Sequence, residues 1–226
     1  MFRVKICGVT DPHDALCCSE AGADAIGLNF YAASPRYVCP EMARQIAQGL
    51  PSTVVKVGVF VNAAIEQVLR TCDEVGLDAV QLHGDETPQM LARLGVRPAI
   101  KAFRCDGRDS RLVIEFVRQC QDLGCRPCAV LIDASRPGAY GGTGQTADWP
   151  TVRELSGLLG DTPIILAGGL RPDNVVAAIQ ATRPAAVDTA SGVESSPGRK
   201  DSNLVREFVH HARDALERLR HGECPP

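Results

Sequence analysis

Short apolar runs alternate along the chain with longer segments whose apolar positions recur at helical spacing, and the alternation repeats eight times. The runs cover residues 4–7, 25–30, 54–60, 79–82, 99–102, 129–133, 164–167 and 186–190. Each is short, apolar and bounded by Gly, Pro, Asp or Asn, the pattern of strands buried on both faces. Between and after them, helical spacing predicts helices over 14–21, 40–48, 64–75, 88–94, 110–123, 149–159, 174–181 and 202–219. Thr10 or Asp11 stands where a side chain caps the first helix, and Pro88 and Pro172 stand where a helix start tolerates a missing N–H. The last helix gathers Leu204, Val205, Phe208, Ala212, Ala215, Leu216 and Leu219 on one stripe, with Arg and Glu opposite.

Eight strand–helix pairs in 226 residues, about 28 per pair, match the smallest closed barrels, so the predicted fold is α/β, a single (β/α)8 TIM barrel. A doubly wound open sheet is the competing arrangement, but it usually has fewer strands and a G-x-G-x-x-G turn after the first. Here the first strand runs into Cys7-Gly8-Val9-Thr10. No linker or break in composition divides the chain, which predicts one catalytic barrel over 1–221 and a frayed C-terminal tail over 222–226.

Composition adds exclusions. Hydrophobic residues at 45% and charged residues at 23% suit a packed domain and not a disordered or fibrous chain. A net charge of -3 argues against nucleic-acid binding through bulk charge. No apolar run approaches the roughly 18 residues of a membrane span. The N-terminus reads straight into a strand with no secretory signal, so a cytoplasmic location is expected. The ten cysteines are scattered, and Cys17, Cys18, Cys72 and Cys120 fall in helix patterns, where a free thiol packs as a small hydrophobe. Cys125 and Cys128 have C-x-x-C spacing but lack the second ligand pair of a zinc site, so no metal is expected.

In a barrel, chemistry sits on the loops that follow the strands. The chain places Cys7, Arg36, Asn62, Gln81, His83, Asp133 and Asp188 there, with glycines after the last three strands in Gly141-Gly142-Thr143-Gly144, Gly168-Gly169 and Ser191-Gly192. Such glycines serve left-handed turns, and they also let backbone N–H groups converge on an anion. Clustered at neighbouring strand ends, where barrels hold phosphate, they favour a phosphorylated small molecule. Cys7 shares the side-chain parity of Lys5 and so faces the barrel interior. It is either an inert thiol or, with a cation near enough to favour thiolate, a general base. Asp133 closes an apolar run, as a helix cap, an ion-pair partner or a desolvated proton donor. The Arg36 fork suits a carboxylate, and His83 is an acid, a ligand or a loop histidine bonded to backbone. Lys5 lies one layer below Cys7 and needs a partner. Asp188 is the candidate, because the eighth strand adjoins the first in a closed barrel.

The ordered set Lys5-Ile6-Cys7-Gly8-Val9-Thr10, Ser34-Pro35-Arg36-Tyr37-Val38, Val57-Gly58-Val59-Phe60-Val61-Asn62 and Gln81-Leu82-His83-Gly84-Asp85-Glu86 resembles the phosphoribosylanthranilate isomerases of tryptophan biosynthesis. So do Gly141-Gly142-Thr143-Gly144 with Asp148-Trp149, Ala167-Gly168-Gly169-Leu170, Val187-Asp188-Thr189-Ala190-Ser191-Gly192-Val193-Glu194, Pro197-Gly198 and Lys200-Asp201. The matches span residue 3 to about 201 in family order. The resemblance implies an intramolecular oxidoreductase, an aldose–ketose isomerase working without cofactor or metal. Its reaction is the Amadori rearrangement of N-(5-phosphoribosyl)anthranilate to 1-(2-carboxyphenylamino)-1-deoxyribulose 5-phosphate. It places the general base on Cys7, the general acid on Asp133 and the substrate-carboxylate contact on Arg36. The phosphate site falls on Gly142, Thr143, Gly144, Gly168, Gly169, Ser191 and Gly192. His83 and Asp188 are expected beside them as further substrate contacts. The chain departs from the family in Ala147 and Ala190, where Phe and often Ser stand, which bears on loop packing and phosphate bonding.

Two competing readings follow from the same residues. Another phosphate-sugar barrel, such as an indole-glycerol-phosphate synthase or a bifunctional histidine and tryptophan isomerase, would need a catalytic lysine, for which Lys101 is the candidate, or an aspartate in place of Cys7. A barrel kept as a binding module would bind ligand without turnover. The partner expected on the favoured reading is a small phosphorylated substrate, with no nucleic acid or membrane, and the protein is expected as a monomer or weak homodimer.

Overall fold

The computed structural model describes residues 1–105, 110–134 and 149–221, the side chains of Cys105 and Ala134 apart. Its elements run β1 (Val4–Cys7), α1 (Pro12–Glu20), β2 (Ala25–Asn29), α2 (Pro40–Gly49), β3 (Val55–Phe60), α3 (Ile65–Val75), β4 (Ala79–Leu82), α4 (Pro88–Ala92) and β5 (Ala99–Cys105). There follow α5 (Ser110–Asp122), β6 (Ala129–Ala134), α6 (Trp149–Leu158), β7 (Ile164–Leu166), α7 (Val175–Thr182), β8 (Ala186–Thr189), β9 (Glu194–Ser196), β10 (Arg199–Lys200) and α8 (Ser202–Arg220). Strands β1 to β8 pair in parallel in chain order and close when β1 meets β8, with Val4 opposite Val187 and Lys5 opposite Asp188. The α/β barrel expected from the alternation is the fold.

Closure explains why the strands are apolar on both faces. Ile6, Ile26, Leu28, Val80, Val130 and Leu166 point outwards into the layer shared with the helices, while Ala25, Val57, Ala79, Leu131, Ile165 and Ala186 point inwards. The inner layer mixes alanines with Val57, Ile100, Leu131 and Ile165, the branched residues that fill a barrel interior. Asp11, not Thr10, caps α1, its carboxylate accepting from Asp14 N at 3.0 Å. Thr10 instead donates its hydroxyl to Gly198 O. Pro88 opens α4 as expected, with Thr87 as its cap. Pro172 does not open α7: the helix begins at Val175 after Asn174, and Pro172 lies in the preceding turn. Of the expected α8 stripe Val205, Phe208, Ala212, Ala215 and Leu216 are buried, Leu204 and Leu219 are partly buried, and Val209 joins the buried set.

One element was not anticipated. After β8, a 3-10 turn over Ser191–Val193 leads into an antiparallel hairpin of β9 and β10. Strands of three and two residues show no periodicity a sequence reading can detect. Among the described residues no helix is long and apolar enough to cross a membrane. The expected tail over 222–226 lies outside the described residues.

Candidate active site

A cavity opens at the carboxyl ends of the barrel strands, and its floor is set by side-chain parity. Cys7, Val59, His83, Asp133, Ala167 and Asp188 all line it. Each continues the inward-facing row of its own strand, two residues beyond an interior position such as Lys5, Val57 or Leu131. Its space, open mouth included, is about 700 Å³.

Beneath the floor Lys5 is fully buried, and its Nζ meets Asp188 Oδ1 at 2.9 Å. The expected partnership across the β1–β8 closure is therefore formed. Gly27 makes room for it, since a Cβ there would stand 2.7 Å from Cys7 Sγ and 3.1 Å from Lys5 Nζ. Burial pushes the Cys7 thiol above its ordinary value; Lys5 and Lys200 pull it down, while Asp188 adds to the rise. The cations near Cys7 do pull towards thiolate, but burial outweighs them and the net direction is upward. Lys5 itself is held in its charged form, because Asp188 and Cys7 more than offset its desolvation. Burial likewise pushes Asp188 up, with Lys5 opposing.

Across the cavity Asp133 Oδ2 lies 3.3 Å from His83 Nε2. Gln81 Nε2 donates to His83 Nδ1 at 2.7 Å, which leaves the proton of a neutral imidazole on Nε2, facing the carboxylate. Of the three sequence alternatives for His83, the backbone-bonded loop histidine is not what forms.

Arg36 reaches the cavity from the loop after β2. Its N–H donates to Ser34 Oγ, which also accepts from Asn29 Nδ2. Its side chain lies against Gly8, at φ +71°, where a Cβ would overlap Arg36 Cδ. One edge of the guanidinium is already bound, Nε to Glu194 Oε1 at 2.8 Å and Nη2 to Glu194 Oε2 at 2.7 Å. Only the outer edge remains for a ligand, a restriction the sequence did not reveal.

Gly168 and Gly169 line the cavity with φ of +89° and +65°, a left-handed pair only glycine adopts easily. Asn174 holds the loop from behind, donating to Gly169 O and accepting from Arg171 N. Ser191 lines the cavity beside it. Gly192 does not; it is where the β8 loop packs on the β7 loop, since a Cβ there would overlap Leu170 O. Gly142, Thr143 and Gly144 lie outside the described residues.

Lys101 is displaced from any catalytic role. It points out of the barrel and pairs with Glu86 at 2.9 Å, also donating to Gly84 O. Glu86 in turn accepts from the backbone N–H of Asn62 and of Gly84, which ties the β3 and β4 loops together. Lys101→Met is expected to cost about 3 kcal/mol in denaturant unfolding, because a buried carboxylate loses its cation. The folded variant keeps its turnover, which removal of a catalytic lysine would not allow.

Cys125 and Cys128 are free thiols, and Cys125 Sγ donates to Cys120 O. Cys18, Cys72 and Cys120 are buried as expected, whereas Cys17 is partly exposed. Among the described residues the one set of neighbouring metal-type donors is Asp11, His13 and Asp14, at the start of α1. Its carboxylates are taken by Asp14 N and by Lys200 N. Sequence reasoning missed Asn29, Glu194 and Lys200. The last two stood inside recognised motifs, but nothing in their spacing pointed to Arg36.

The family model described as N-(5'phosphoribosyl)anthranilate (PRA) isomerase matches residues 4–211. The chain is 47% identical to the N-(5'-phosphoribosyl)anthranilate isomerase of Trichlorobacter lovleyi over 216 residues, covering 96% of this chain and 100% of that one. It superposes on the phosphoribosyl anthranilate isomerase of Thermotoga maritima with a TM-score of 0.84 at 39% identity, covering 95% and 100% of the two chains. A solved phosphoribosyl anthranilate isomerase in complex with reduced 1-(o-carboxyphenylamino)-1-deoxyribulose 5-phosphate is similar too, at TM-score 0.81 and 38% identity, with 95% and 100% covered.

Proposed function

The chain belongs to the N-(5'-phosphoribosyl)anthranilate isomerase family, and from that premise we propose that Cys7 is the base and Asp133 the acid of its reaction. The protein is an isomerase of tryptophan biosynthesis that converts N-(5-phosphoribosyl)anthranilate into 1-(2-carboxyphenylamino)-1-deoxyribulose 5-phosphate. The observation that carries the assignment is the shared cavity: the Cys7 thiol and the Asp133 carboxyl, on strands three apart round the barrel, open into the same space.

Asp133 gives its proton to the furanose ring oxygen as the C1′–O bond breaks, and the anthranilate nitrogen supplies the electron pair of a C1′=N bond. Cys7, as thiolate, then takes the proton from C2′. The C–H pair becomes C1′=C2′, and the imine electrons return to nitrogen, giving an enolamine. Tautomerisation moves a proton from the 2′-hydroxyl to C1′ and leaves a ketone at C2′. C1′ is reduced as C2′ is oxidised, which makes the reaction an intramolecular oxidoreduction of the aldose–ketose kind. Lys5, held charged below Cys7, stabilises the thiolate while it forms. Asp133, once deprotonated, faces the Nε2–H of His83.

Binding is assigned to the two ends of the substrate. The backbone of Gly168 and Gly169, with the loop of Ser191 and Gly192, takes the phosphate, to which 142–144 belong on the family pattern. The outer edge of Arg36 takes the anthranilate carboxylate. His83 and Asp188 contact the sugar between them. A substrate bearing a phosphate and a carboxylate does not diffuse through bilayers, so the protein must share its compartment, for which we propose the cytoplasm.

Loss of anthranilate-type substrate fluorescence with the purified protein tests the activity. Arg36→Ala is expected to raise KM about tenfold or more with a smaller change in kcat, as removal of a binding contact does. An unchanged KM would take Arg36 out of the carboxylate site.

A further inference from the structure

The β9–β10 hairpin places two charged side chains behind Arg36 that the reaction itself does not use. Lys200 Nζ donates to Cys7 O at 2.7 Å, to Ala190 O at 3.1 Å and to Glu194 Oε1 at 2.8 Å. An ammonium has three donors, so none is left for a ligand. Glu194 accepts from both Lys200 and the Arg36 fork. The side chains of Lys200, Glu194 and Arg36 are 1%, 4% and 11% exposed, so all three charges are largely withdrawn from water. Lys200 N is tied in turn to Asp14 Oδ2 at 2.7 Å, which fixes the hairpin to α1.

We propose that this hairpin is the positioning element for the carboxylate end of the substrate, in which Glu194 aims the Arg36 guanidinium and Lys200 anchors Glu194 to the strands carrying Cys7 and the phosphate loop. The proposal rests on Arg36 as the carboxylate contact. Two cations and one anion leave one positive charge uncompensated at the cavity wall, and an incoming carboxylate completes the set. A free arginine has many rotamers to give up when its fork is fixed on a ligand. Holding the stem against Gly8 and the fork on Glu194 before the substrate arrives removes that cost from binding. The bridge to Lys200 also sets the distance between the carboxylate end and the base, because one ammonium grips Glu194 and the carbonyl of Cys7 together. Glu194 stays ionised in this setting: burial alone would raise it, but Arg36 and Lys200 together hold it below the usual carboxylate range.

Glu194 and Lys200 are therefore positioning residues, and Glu194→Gln is the decisive variant, since it keeps shape while removing the charge and half of the fork. Two stable probes separate positioning from general damage. One is the reduced product, 1-(2-carboxyphenylamino)-1-deoxyribitol 5-phosphate, and the other is its phenylamino counterpart without the carboxyl. Glu194→Gln is expected to weaken the first about tenfold and the second less than twofold, with KM rising more than kcat falls. Glu194→Asp keeps the charge for Lys200 but withdraws the fork, and it should show the same selective loss should the glutamine variant fold poorly. Equal weakening of both probes overturns the proposal, because a loosened barrel would not distinguish them. If Arg36→Ala discriminates between the probes and neither Glu194 variant does, the proposal fails while the assignment of Arg36 stands. If Arg36→Ala does not discriminate either, both fall.

Discussion

Cys7→Ser should abolish most turnover while leaving the site intact, with kcat falling by about 10²–10⁴, the usual contribution of one proton-transfer group. Serine is nearly isosteric with cysteine, so the Lys5–Asp188 pair beneath it has no reason to move. The hydroxyl, however, is a far weaker acid than a thiol and cannot supply a resident base near neutral pH. Binding of the reduced product is the control and is expected to stay within about twofold, because loss of a transition-state contact alone leaves ground-state binding in place. Near wild-type kcat would remove the thiol from the mechanism. The pH profile of the native enzyme adds a second reading of the same residue. A reaction that needs thiolate and carboxylic acid at once gives a bell whose descending limb reports the higher of the two ionisations. That ionisation is the thiol's, since burial pushes it up from 9.0. The alkaline fall of kcat/KM is therefore expected above the ordinary thiol range, and a descending limb between pH 7 and 8 would contradict a raised thiol.

Asp133→Asn is expected to cost a similar factor of about 10²–10⁴ in kcat, by blocking a different step. The amide fits the same space beside His83, but it has no acidic proton for the ring oxygen, so the furanose stays closed. Substrate deuterated at C2′ tells the two variants apart. In Asp133→Asn, ring opening becomes limiting and any isotope effect at C2′ collapses. In Cys7→Ser, removal of that hydrogen becomes limiting and the isotope effect reaches its full size. The reverse pattern would exchange the two assignments, and identical patterns would mean that neither residue acts at a single step.

Some of the site could be read from sequence alone because it depends on local pattern. Parity along β1 places Lys5 and Cys7 on the inner face, and the same rule places Asp133 above Leu131. Gly168 and Gly169 announce a left-handed pair whatever lies around them. Other features have no local signature. The partner of Arg36 stands 158 residues away in Glu194, on a hairpin too short to show a period. Lys101 had the look of a strand-end catalytic lysine, and only the phase of β5 decided that it faces Glu86 instead of the cavity.

The amino-acid pattern by itself determined the eight-unit alternation, the chain order of the strands and the residue types offered at their carboxyl ends, since each follows from periodicity and turn chemistry over a few residues. What only the closed barrel decided was the company those residues keep. Asp188 meets Lys5 because β8 returns to β1, and Lys200 ties Glu194 to the carbonyl of Cys7 because the hairpin folds back over that seam. The upward shift of the Cys7 thiol was decided there too. Desolvation is a property of everything that surrounds a group, and no stretch of sequence by itself carries the packing that pushes this cavity-lining thiol above its ordinary value.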